Sequence, residues 1–123
     1  MDDSKKKSVL VVDDEEIIRN FLSEVLSEDY CVSMASDGDE AIEQIKQRKF
    51  DLIITDLKMP KVSGEEVVKF AHQHDSRAKV IVISGFSNLY SVNESIKCGA
   101  RAFLAKPFSI RELKQSVKEA ING

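Results

Sequence analysis

Five short apolar runs recur along the chain, and the segments between them carry helical patterns. The runs lie at residues 9–12, 31–35, 52–54, 80–83 and 102–105. Three of them are continuous Val, Ile and Leu segments, which is typical of strands covered on both faces, as in a parallel sheet between helices. The run at 31–35 is the weakest. The alternation predicts an α/β fold in which a βα unit repeats five times with right-handed crossovers.

Apolar spacing and turn residues predict the first two helices. After the first run, six apolar residues recur at the spacing that a period of 3.6 residues brings onto one helix face: Ile17, Ile18, Phe21, Leu22, Val25 and Leu26. A second helix follows the Asp37-Gly38 turn, and its apolar positions are Ala41, Ile42 and Ile45. Both segments are therefore expected to pack an apolar face on the sheet.

Capping signals and composition predict the remaining helices. Ser63 and Ser109 are each followed three residues later by glutamate, the form of a capping box, so they begin the third and fifth helices. The fourth predicted helix, at residues 88–98, ends at Gly99 and is rich in Ser and Asn, which favour caps and turns over helix interiors. We expect it to be the least stable of the five.

Length and composition limit the kinds of protein that the chain can be. Its 123 residues suit one domain, since a domain has roughly 150 residues. We predict a flexible tail at residues 1–7 and one domain at 8–123. A net charge of −3 disfavours direct nucleic-acid binding, and the apolar runs are far shorter than the roughly 18 residues of a membrane span. Cys31 and Cys98 have no close spacing, which favours packed thiols in a cytoplasmic protein. Because the apolar runs are short, we expect no membrane contact.

Polar side chains follow four of the five predicted strands. Asp13 and Asp14 follow the first, Asp56 the third, Ser84 the fourth and Lys106 the fifth. In a parallel sheet the strands end at one edge, and ligands bind there near the point where strand order reverses. We therefore expect three carboxylates, one hydroxyl and one ammonium group to converge in a single shallow pocket.

This set of groups predicts phosphoryl chemistry assisted by a metal ion. Three clustered carboxylates repel one another, and a hard divalent ion relieves the repulsion. Oxygen ligands that leave room for water and a phosphoryl oxygen favour Mg²⁺. A carboxylate can attack phosphorus to form an aspartyl phosphate when a metal and cationic groups neutralise the transferring group. Asp56, with Lys106 and Ser84 beside it, supplies these parts.

At these residues the sequence closely resembles the receiver domain of bacterial two-component response regulators, the chemotaxis-type α/β module. The resemblance covers about residues 8–121, and its segments are VLVVDDE at 9–15, DLIITDLKMP at 51–60 with Gly64 after it, ISG at 83–85, GA at 99–100 and FLAKPF at 103–108. It implies a flavodoxin-like, doubly wound sandwich with a parallel sheet of order 2-1-3-4-5. It also implies Mg²⁺-dependent transfer of a phosphoryl group to Asp56 from a phosphohistidine of a sensor histidine kinase or histidine phosphotransfer protein.

The resemblance further implies roles for single residues in the metal site. Asp14 and Asp56 would touch Mg²⁺ directly, while Asp13 would act through a metal-bound water. Lys58 would contribute only its backbone carbonyl. Such a domain catalyses its own phosphorylation and dephosphorylation and turns over no separate substrate, so it is not expected to be an enzyme in the usual sense.

A conformational switch is implied by the same resemblance. Lys106 would pair with the phosphoryl group, aided by a cis bond to Pro107, and Ser84 would swing toward the phosphoryl oxygens. Phe103 would then rotate inward, changing the surface of the fourth helix, fifth strand and fifth helix that controls an output partner or appended domain. The resemblance also allows a homodimer through this surface. Phe103 stands where many members have Tyr, and Ser84 replaces the frequent Thr.

Two other functions share some of these features. A phosphohydrolase of the haloacid-dehalogenase type also uses an aspartate at a strand end, but it needs a second acid two residues later, where this chain has Lys58. A flavodoxin-like carrier needs a Ser, Thr and Gly-rich phosphate loop after the first strand, whereas the acids at residues 13–16 would repel the FMN phosphate. The sequence leaves open the cognate kinase, the output and whether the chain acts alone or belongs to a longer protein.

Overall fold

A five-stranded parallel sheet forms the centre of the computed structural model, which describes residues 6–59, 61–85, 93–94 and 96–123. The strands are β1 (Ser8–Val12), β2 (Cys31–Ala35), β3 (Leu52–Asp56), β4 (Val80–Ser84) and β5 (Ala102–Ala105). They are ordered β2-β1-β3-β4-β5, and every neighbouring pair is parallel. The predicted class and strand order are confirmed.

Four helices are described around the sheet. They are α1 (Glu16–Leu26), α2 (Gly38–Gln47), α3 (Gly64–His74) and a last helix, here named the C-terminal helix (Ile110–Asn122). The fourth predicted helix falls largely on residues outside the described ones. Of its positions, 93–94 and 96–97 have helical backbone.

Two apolar layers lie on opposite faces of the sheet. Side chains of successive strand residues point to opposite faces, so Leu10 and Val12 belong to one layer and Val9 and Val11 to the other. Helices α2 and α3 cover the first layer, while α1 and the C-terminal helix cover the second. The predicted doubly wound sandwich is thus confirmed, and both faces of the sheet are excluded from water.

Side-chain caps begin three of the four described helices where the sequence predicts them. Asp37 accepts a hydrogen bond from the Glu40 amide at the start of α2, and Ser63 accepts one from the Glu66 amide at the start of α3. At the C-terminal helix the Ser109 hydroxyl and the side chain of the third helical residue satisfy each other's backbone amides, forming a full capping box.

The apolar stripe of α1 is only partly buried. Leu22 and Leu26 are buried, but Ile17 is 82% exposed and Phe21 is 36% exposed. At 3.6 residues per turn, positions nine residues apart lie about 180° apart around the helix, so Ile17 and Leu26 cannot both face the sheet. The six-residue stripe is wider than the packed face, so Ile17 and Phe21 lie toward solvent while Ile18 is partly buried against the core.

Strand β2 lies at the edge of the sheet, which explains its weak sequence signal. Of its five residues, Cys31 and Met34 are exposed and Ala35 is buried. An edge strand needs less apolar surface because it has a neighbour on one side only. The prediction that both cysteines are packed is therefore wrong for Cys31 and confirmed for Cys98, which packs on the core. None of the described helices is both long enough and apolar enough to cross a bilayer.

Candidate functional site

The carboxyl edge of the sheet carries the polar residues that the sequence singles out. Asp13 directly follows β1, Asp56 and Ser84 are the last residues of β3 and β4, and Lys106 directly follows β5. The sequence predicts Asp56 and Ser84 just beyond the ends of their strands. In the structure each is the last residue of its strand and is still paired with the neighbouring strand. Three of these polar residues are nearly inaccessible to water: Asp13 is 0% exposed, Asp56 6% and Ser84 1%.

Four carboxylates lie together at this edge and are named here the acidic cluster. Its members are Asp13, Asp14, Glu15 and Asp56, each with a carboxylate oxygen within 4.8 Å of those of the others. Asp13 and Asp56 are buried, whereas Asp14 and Glu15 are exposed. The side of the cluster formed by Asp14 and Glu15 is thus open to solvent, and the side formed by Asp13 and Asp56 is buried.

One ammonium group faces three members of the acidic cluster. Lys106 Nζ lies 3.4 Å from Asp56 Oδ2, 3.5 Å from Asp13 Oδ2 and 3.8 Å from Glu15 Oε1. The Lys106-Pro107 peptide bond is cis, the isomer that the resemblance implies. Lys106 thus brings one positive charge to the four carboxylates of the acidic cluster.

Burial and charge shift the pKa values of the buried groups. Burial raises the pKa of Asp13, although the Glu15 amide and Lys106 oppose the rise. Burial likewise raises the pKa of Asp56, against the attraction of Lys106. Burial disfavours charged Lys106, but its attraction to Asp56 and Asp13 outweighs that effect and raises its pKa. Ionisation of Asp13 and Asp56 therefore carries a desolvation penalty that the attraction of Lys106 offsets only in part.

Backbone contacts fix the two loops that carry the buried acids. The Glu15 amide donates to Asp13 Oδ1 at 2.9 Å. Below Asp56, the Thr55 hydroxyl donates to the Asp56 carbonyl at 3.0 Å, and the Gly64 amide donates to the Leu57 carbonyl at 2.9 Å. The close approach needs glycine, because a Cβ on Gly64 would overlap the Asp56 carbonyl oxygen.

The remaining predicted site residues lie around the acidic cluster. Lys58, two residues past Asp56, has an exposed side chain. Phe103 is half-buried in β5 and packs against the apolar layer under α2 and α3. Phe86, two residues past Ser84, lies outside the described residues.

Sequence reasoning missed two residues that contact the site. Glu15 joins the acidic cluster, and Arg19 Nη1 donates to the Asp13 carbonyl at 2.8 Å. Glu15 ends the VLVVDDE motif, and its place beside the Asp13-Asp14 pair is a sequence signal for its position in the cluster. Arg19 lies four residues later, and helix side chains lean toward the N-terminus, so its reach toward the loop was foreseeable.

The donors of the acidic cluster fit a hard divalent cation. All four members offer carboxylate oxygens, which Mg²⁺ prefers. Burial penalises the charge of Asp13 and Asp56, and a cation placed among them would favour their charged forms. The exposed side chains of Asp14 and Glu15 leave an entry path from solvent.

Comparison with known proteins agrees with the fold. The family model of the response regulator receiver domain matches residues 9–118, and the chain belongs to this family. Sporulation initiation phosphotransferase F of Bacillus subtilis is 33% identical over 114 residues, 92% of either chain. Chemotaxis protein CheY of Thermotoga maritima is 36% identical over 118 residues, 94% of this chain and 95% of that protein. A crystal structure of a CheY-like receiver domain protein from Methanospirillum hungatei has a TM-score of 0.91 at 30% identity, covering 96% of this chain and 95% of that one.

Proposed function

We propose that the chain is a phosphoacceptor that takes a phosphoryl group onto Asp56 in a Mg²⁺-dependent reaction. The observation that carries this proposal is the buried Asp56 carboxylate, 6% exposed, with Lys106 Nζ 3.4 Å from its Oδ2. Family membership supports the same chemistry, since receiver domains act in two-component signalling. We further propose that residues 8–123 form the phosphoacceptor domain after a tail at 1–7, and that the protein works in the cytoplasm.

The reaction proposed is a displacement at phosphorus. A carboxylate oxygen of Asp56 forms a new P–O bond as the P–N bond of the donor's phosphohistidine breaks. The electron pair of that bond stays on the departing imidazole nitrogen, which ends as neutral histidine after taking a proton. No net oxidation occurs, and the product on this chain is an aspartyl phosphate.

Lys106 and Ser84 are the groups proposed to receive the new phosphoryl oxygens. Lys106 already faces Asp56 with an ammonium group whose pKa burial would lower but the attraction of Asp56 and Asp13 raises, so it can neutralise charge on the transferring group. Ser84 ends the strand beside β3, with Asp56 opposite Ile83 in the register. A hydroxyl at that place is positioned to donate to a phosphoryl oxygen on Asp56.

Mg²⁺ is the proposed cofactor, and its chemistry is to neutralise phosphoryl oxygens as charge develops on them. We propose that Asp14 and Asp56 would hold the ion together with the Lys58 carbonyl, and that Asp13 would act on it indirectly, largely through a water. The burial of Asp13 suits this indirect role, and the exposure of Asp14 suits direct contact. The four clustered carboxylates favour the same ion.

An open, mostly apolar groove beside the site supports a protein as the donor. The groove has a volume of about 350 Å³ and is lined by Ile18, Phe21, Lys106, Pro107 and Phe108. Ile17, next to it on α1, is 82% exposed. An exposed apolar surface adjoining a reaction centre is typical of protein interfaces. We propose that a sensor histidine kinase or histidine phosphotransfer protein docks here.

The proposed output is a change in the surface formed by the fourth predicted helix, β5 and the C-terminal helix. Phosphorylation would draw Ser84 toward the phosphoryl group, and Phe103 would turn inward. Phe103 is half-buried and packs against the apolar layer under α2 and α3, so a turn of its ring would change both that packing and the exposed surface. The changed surface would bind an output partner, act on an appended domain or pair with a second copy. Both conformations belong to one ensemble whose balance the phosphoryl group shifts.

Labelling with a small acyl phosphate tests the proposal directly. The protein is incubated with Mg²⁺ and the donor, and its intact mass is measured. We expect an increase of one phosphoryl group that is stable to acid, labile to base and abolished by chelation or by Asp56→Asn. The matched control is Asp39→Asn, an exposed aspartate on α2, which should label normally.

Two outcomes would contradict the proposal. Undiminished labelling of the Asp56→Asn protein would assign the phosphoryl group to another residue. Rapid hydrolysis of many unrelated phosphomonoesters would instead favour the hydrolase alternative, in which Asp56 is a nucleophile of an enzyme. We expect no such turnover, because Lys58 stands where that chemistry needs an acid.

A further inference from the structure

A guanidinium group from α1 reaches back to the loop that carries the acidic cluster. Arg19 Nη1 lies 2.8 Å from the Asp13 carbonyl oxygen and donates a partly buried hydrogen bond. Arg19 sits in the first turn of α1, which begins at Glu16, so the contact spans the junction between loop and helix. None of the roles proposed above uses this residue.

Four hydrogen bonds meet at Asp13, and each has a different origin. Lys106 Nζ, just after β5, donates to Asp13 Oδ2 at 3.5 Å. The Asp13 amide donates to the Ala35 carbonyl at 3.2 Å, which ties the residue to β2. The Glu15 amide donates to Asp13 Oδ1 at 2.9 Å, which is a bond within the loop. The Arg19 bond to the Asp13 carbonyl is the one that fastens the loop to the helix after it.

The loop between β1 and α1 needs a contact of this kind because its carboxylates repel one another. Four carboxylates lie within 4.8 Å of one another, and like charges at this distance repel. Among the four described helices, α1 is the one whose N-cap side chain, that of Glu15, makes no capping hydrogen bond. The bond from Arg19 satisfies no helix amide and is not a cap, but it ties the loop to the first turn of α1, where a side-chain cap is missing.

We propose that Arg19 is a positioning residue for the metal site. By holding the Asp13 carbonyl, its guanidinium keeps the carboxylates of Asp13 and Asp14 converged toward the Mg²⁺ position. The inference rests on the proposed function, since it concerns the same ion. Arg19 itself need not touch the ion or the phosphoryl group.

The direction in which Mg²⁺ affinity changes when Arg19 is removed separates a positioning role from a purely electrostatic one. A cation near a Mg²⁺ site repels the ion, so if Arg19 acted only through its charge, removing it would strengthen Mg²⁺ binding. If Arg19 holds the loop in place, removing it lets the carboxylates spread and weakens Mg²⁺ binding. The two roles thus predict opposite shifts in the dissociation constant.

The test is a calorimetric titration of Mg²⁺ into the metal-free protein. We expect Arg19→Met to raise the Mg²⁺ dissociation constant by about three- to tenfold, the order associated with losing one hydrogen bond. Arg19→Lys keeps the charge and one donor and should recover part of the affinity. The matched control is Lys118→Met, which removes an exposed cation from the C-terminal helix and should leave Mg²⁺ binding unchanged.

Amide hydrogen exchange gives a second readout that does not depend on the ion. In the metal-free Arg19→Met protein the Glu15 amide should exchange faster than in the parent, while amides of β4 keep their protection. Unchanged or tighter Mg²⁺ binding by Arg19→Met would overturn the proposal. If this variant does not fold, Arg19→Gln provides the same test of sign. Failure of the parent protein to bind Mg²⁺ would count against the proposed function, and the Glu15 exchange rate would still decide the role of Arg19.

Discussion

Asp56 is buried, yet the proposed chemistry requires its carboxylate to be negatively charged. Its side chain is nearly inaccessible, burial raises its pKa, and Lys106 offsets that effect only in part. A charged carboxylate at such a position lowers stability, because the unfolded chain would hydrate the same group fully. The conflict should be measurable in the folded protein without any phosphoryl donor.

Asp56→Asn should stabilise the metal-free protein. The substitution removes one member of a repelling cluster and a charge that burial disfavours, while keeping the shape of the side chain. We expect a gain on the order of 1 kcal/mol, or a melting temperature higher by about 4 °C, in thermal unfolding with a chelator present. Asp51→Asn, at the other end of β3, is the control. Its carboxylate accepts bonds from Ser8 at 2.7 and 3.2 Å, so this change should lower stability or leave it unaltered.

The same carboxyl group should give the metal-free protein a characteristic pH dependence. The pKa of Asp56 in the folded state lies above its ordinary value of 3.8, so just above that pH the folded chain binds more protons than the unfolded chain. By linkage, the contribution of this group to stability falls as the pH rises through the raised pKa. The stability advantage of Asp56→Asn should therefore grow between about pH 4 and pH 7, as followed by urea unfolding. An advantage that stays constant over this range would contradict the assigned shift.

At the residue scale, the sequence predicted which site residues lie close together better than it predicted their burial, contacts and pKa values. Asp13, Asp56 and Lys106 follow strands whose order could be inferred, and parallel strands end at one edge, so their proximity needed no side-chain detail. The contact of Arg19 with the Asp13 carbonyl depends on the direction of one long side chain. The raised pKa values depend on burial, which a linear pattern of residues does not report.

At the scale of elements, the junction of β3 and α3 depends on a glycine. A Cβ on Gly64 would overlap the Asp56 carbonyl oxygen and lie 2.8 Å from Leu57 Cα. Both are backbone atoms, which cannot turn away as a side chain can. The start of α3 therefore packs directly under the residue that carries the proposed chemistry.

Gly64→Ala should destabilise the protein by roughly 2 kcal/mol or more, because the backbone of β3 or α3 must shift. Urea unfolding measures the loss, and the rate of labelling by an acyl phosphate should fall as Asp56 is displaced. Gly85→Ala is the matched control, since a Cβ there meets nothing within 4 Å. Equal effects of the two substitutions would mean that Gly64 is not confined by its contacts.

The capping box of the C-terminal helix offers a second test at this scale. Ser109→Ala removes the acceptor for the Glu112 amide, 3.0 Å from the Ser109 hydroxyl, and should lower stability by about 1 kcal/mol. Ser116→Ala, in the interior of the same helix, should be neutral or slightly stabilising because alanine is the better helix former. The two melting curves should therefore shift in opposite directions or by clearly different amounts.

Element boundaries were predicted well where one physical effect dominates. The caps at Ser63 and Ser109 depend on local hydrogen bonds, so the starts of their helices could be identified from the sequence. The stripe of α1 was harder to interpret, because Ile17 is apolar yet 82% exposed. Apolar residues on a helix predict a face that avoids water, and they do not distinguish the core from a surface that a partner could cover.

At the scale of the whole molecule, the site joins elements that are far apart along the chain. Asp13, Asp56, Ser84 and Lys106 come from the ends of β1, β3, β4 and β5, and the two apolar layers hold these strands in register. A ligand bound among them contacts groups that separate when the chain unfolds. Binding should therefore stabilise the entire domain.

Mg²⁺ should raise the melting temperature of the parent protein in a saturable way. A ligand that binds only the folded state at 100 times its dissociation constant adds about 2.7 kcal/mol, and four carboxylates with one facing lysine favour such binding. The shift should be much reduced in Asp14→Asn, which removes an exposed member of the acidic cluster while leaving Asp56 in place. NaCl at matched ionic strength corrects for screening, which alone relieves part of the repulsion. Should Mg²⁺ and NaCl prove equally stabilising, the carboxylates would be responding to ionic strength rather than gathering around one ion, and the phosphoacceptor chemistry proposed for Asp56 would lose its cofactor.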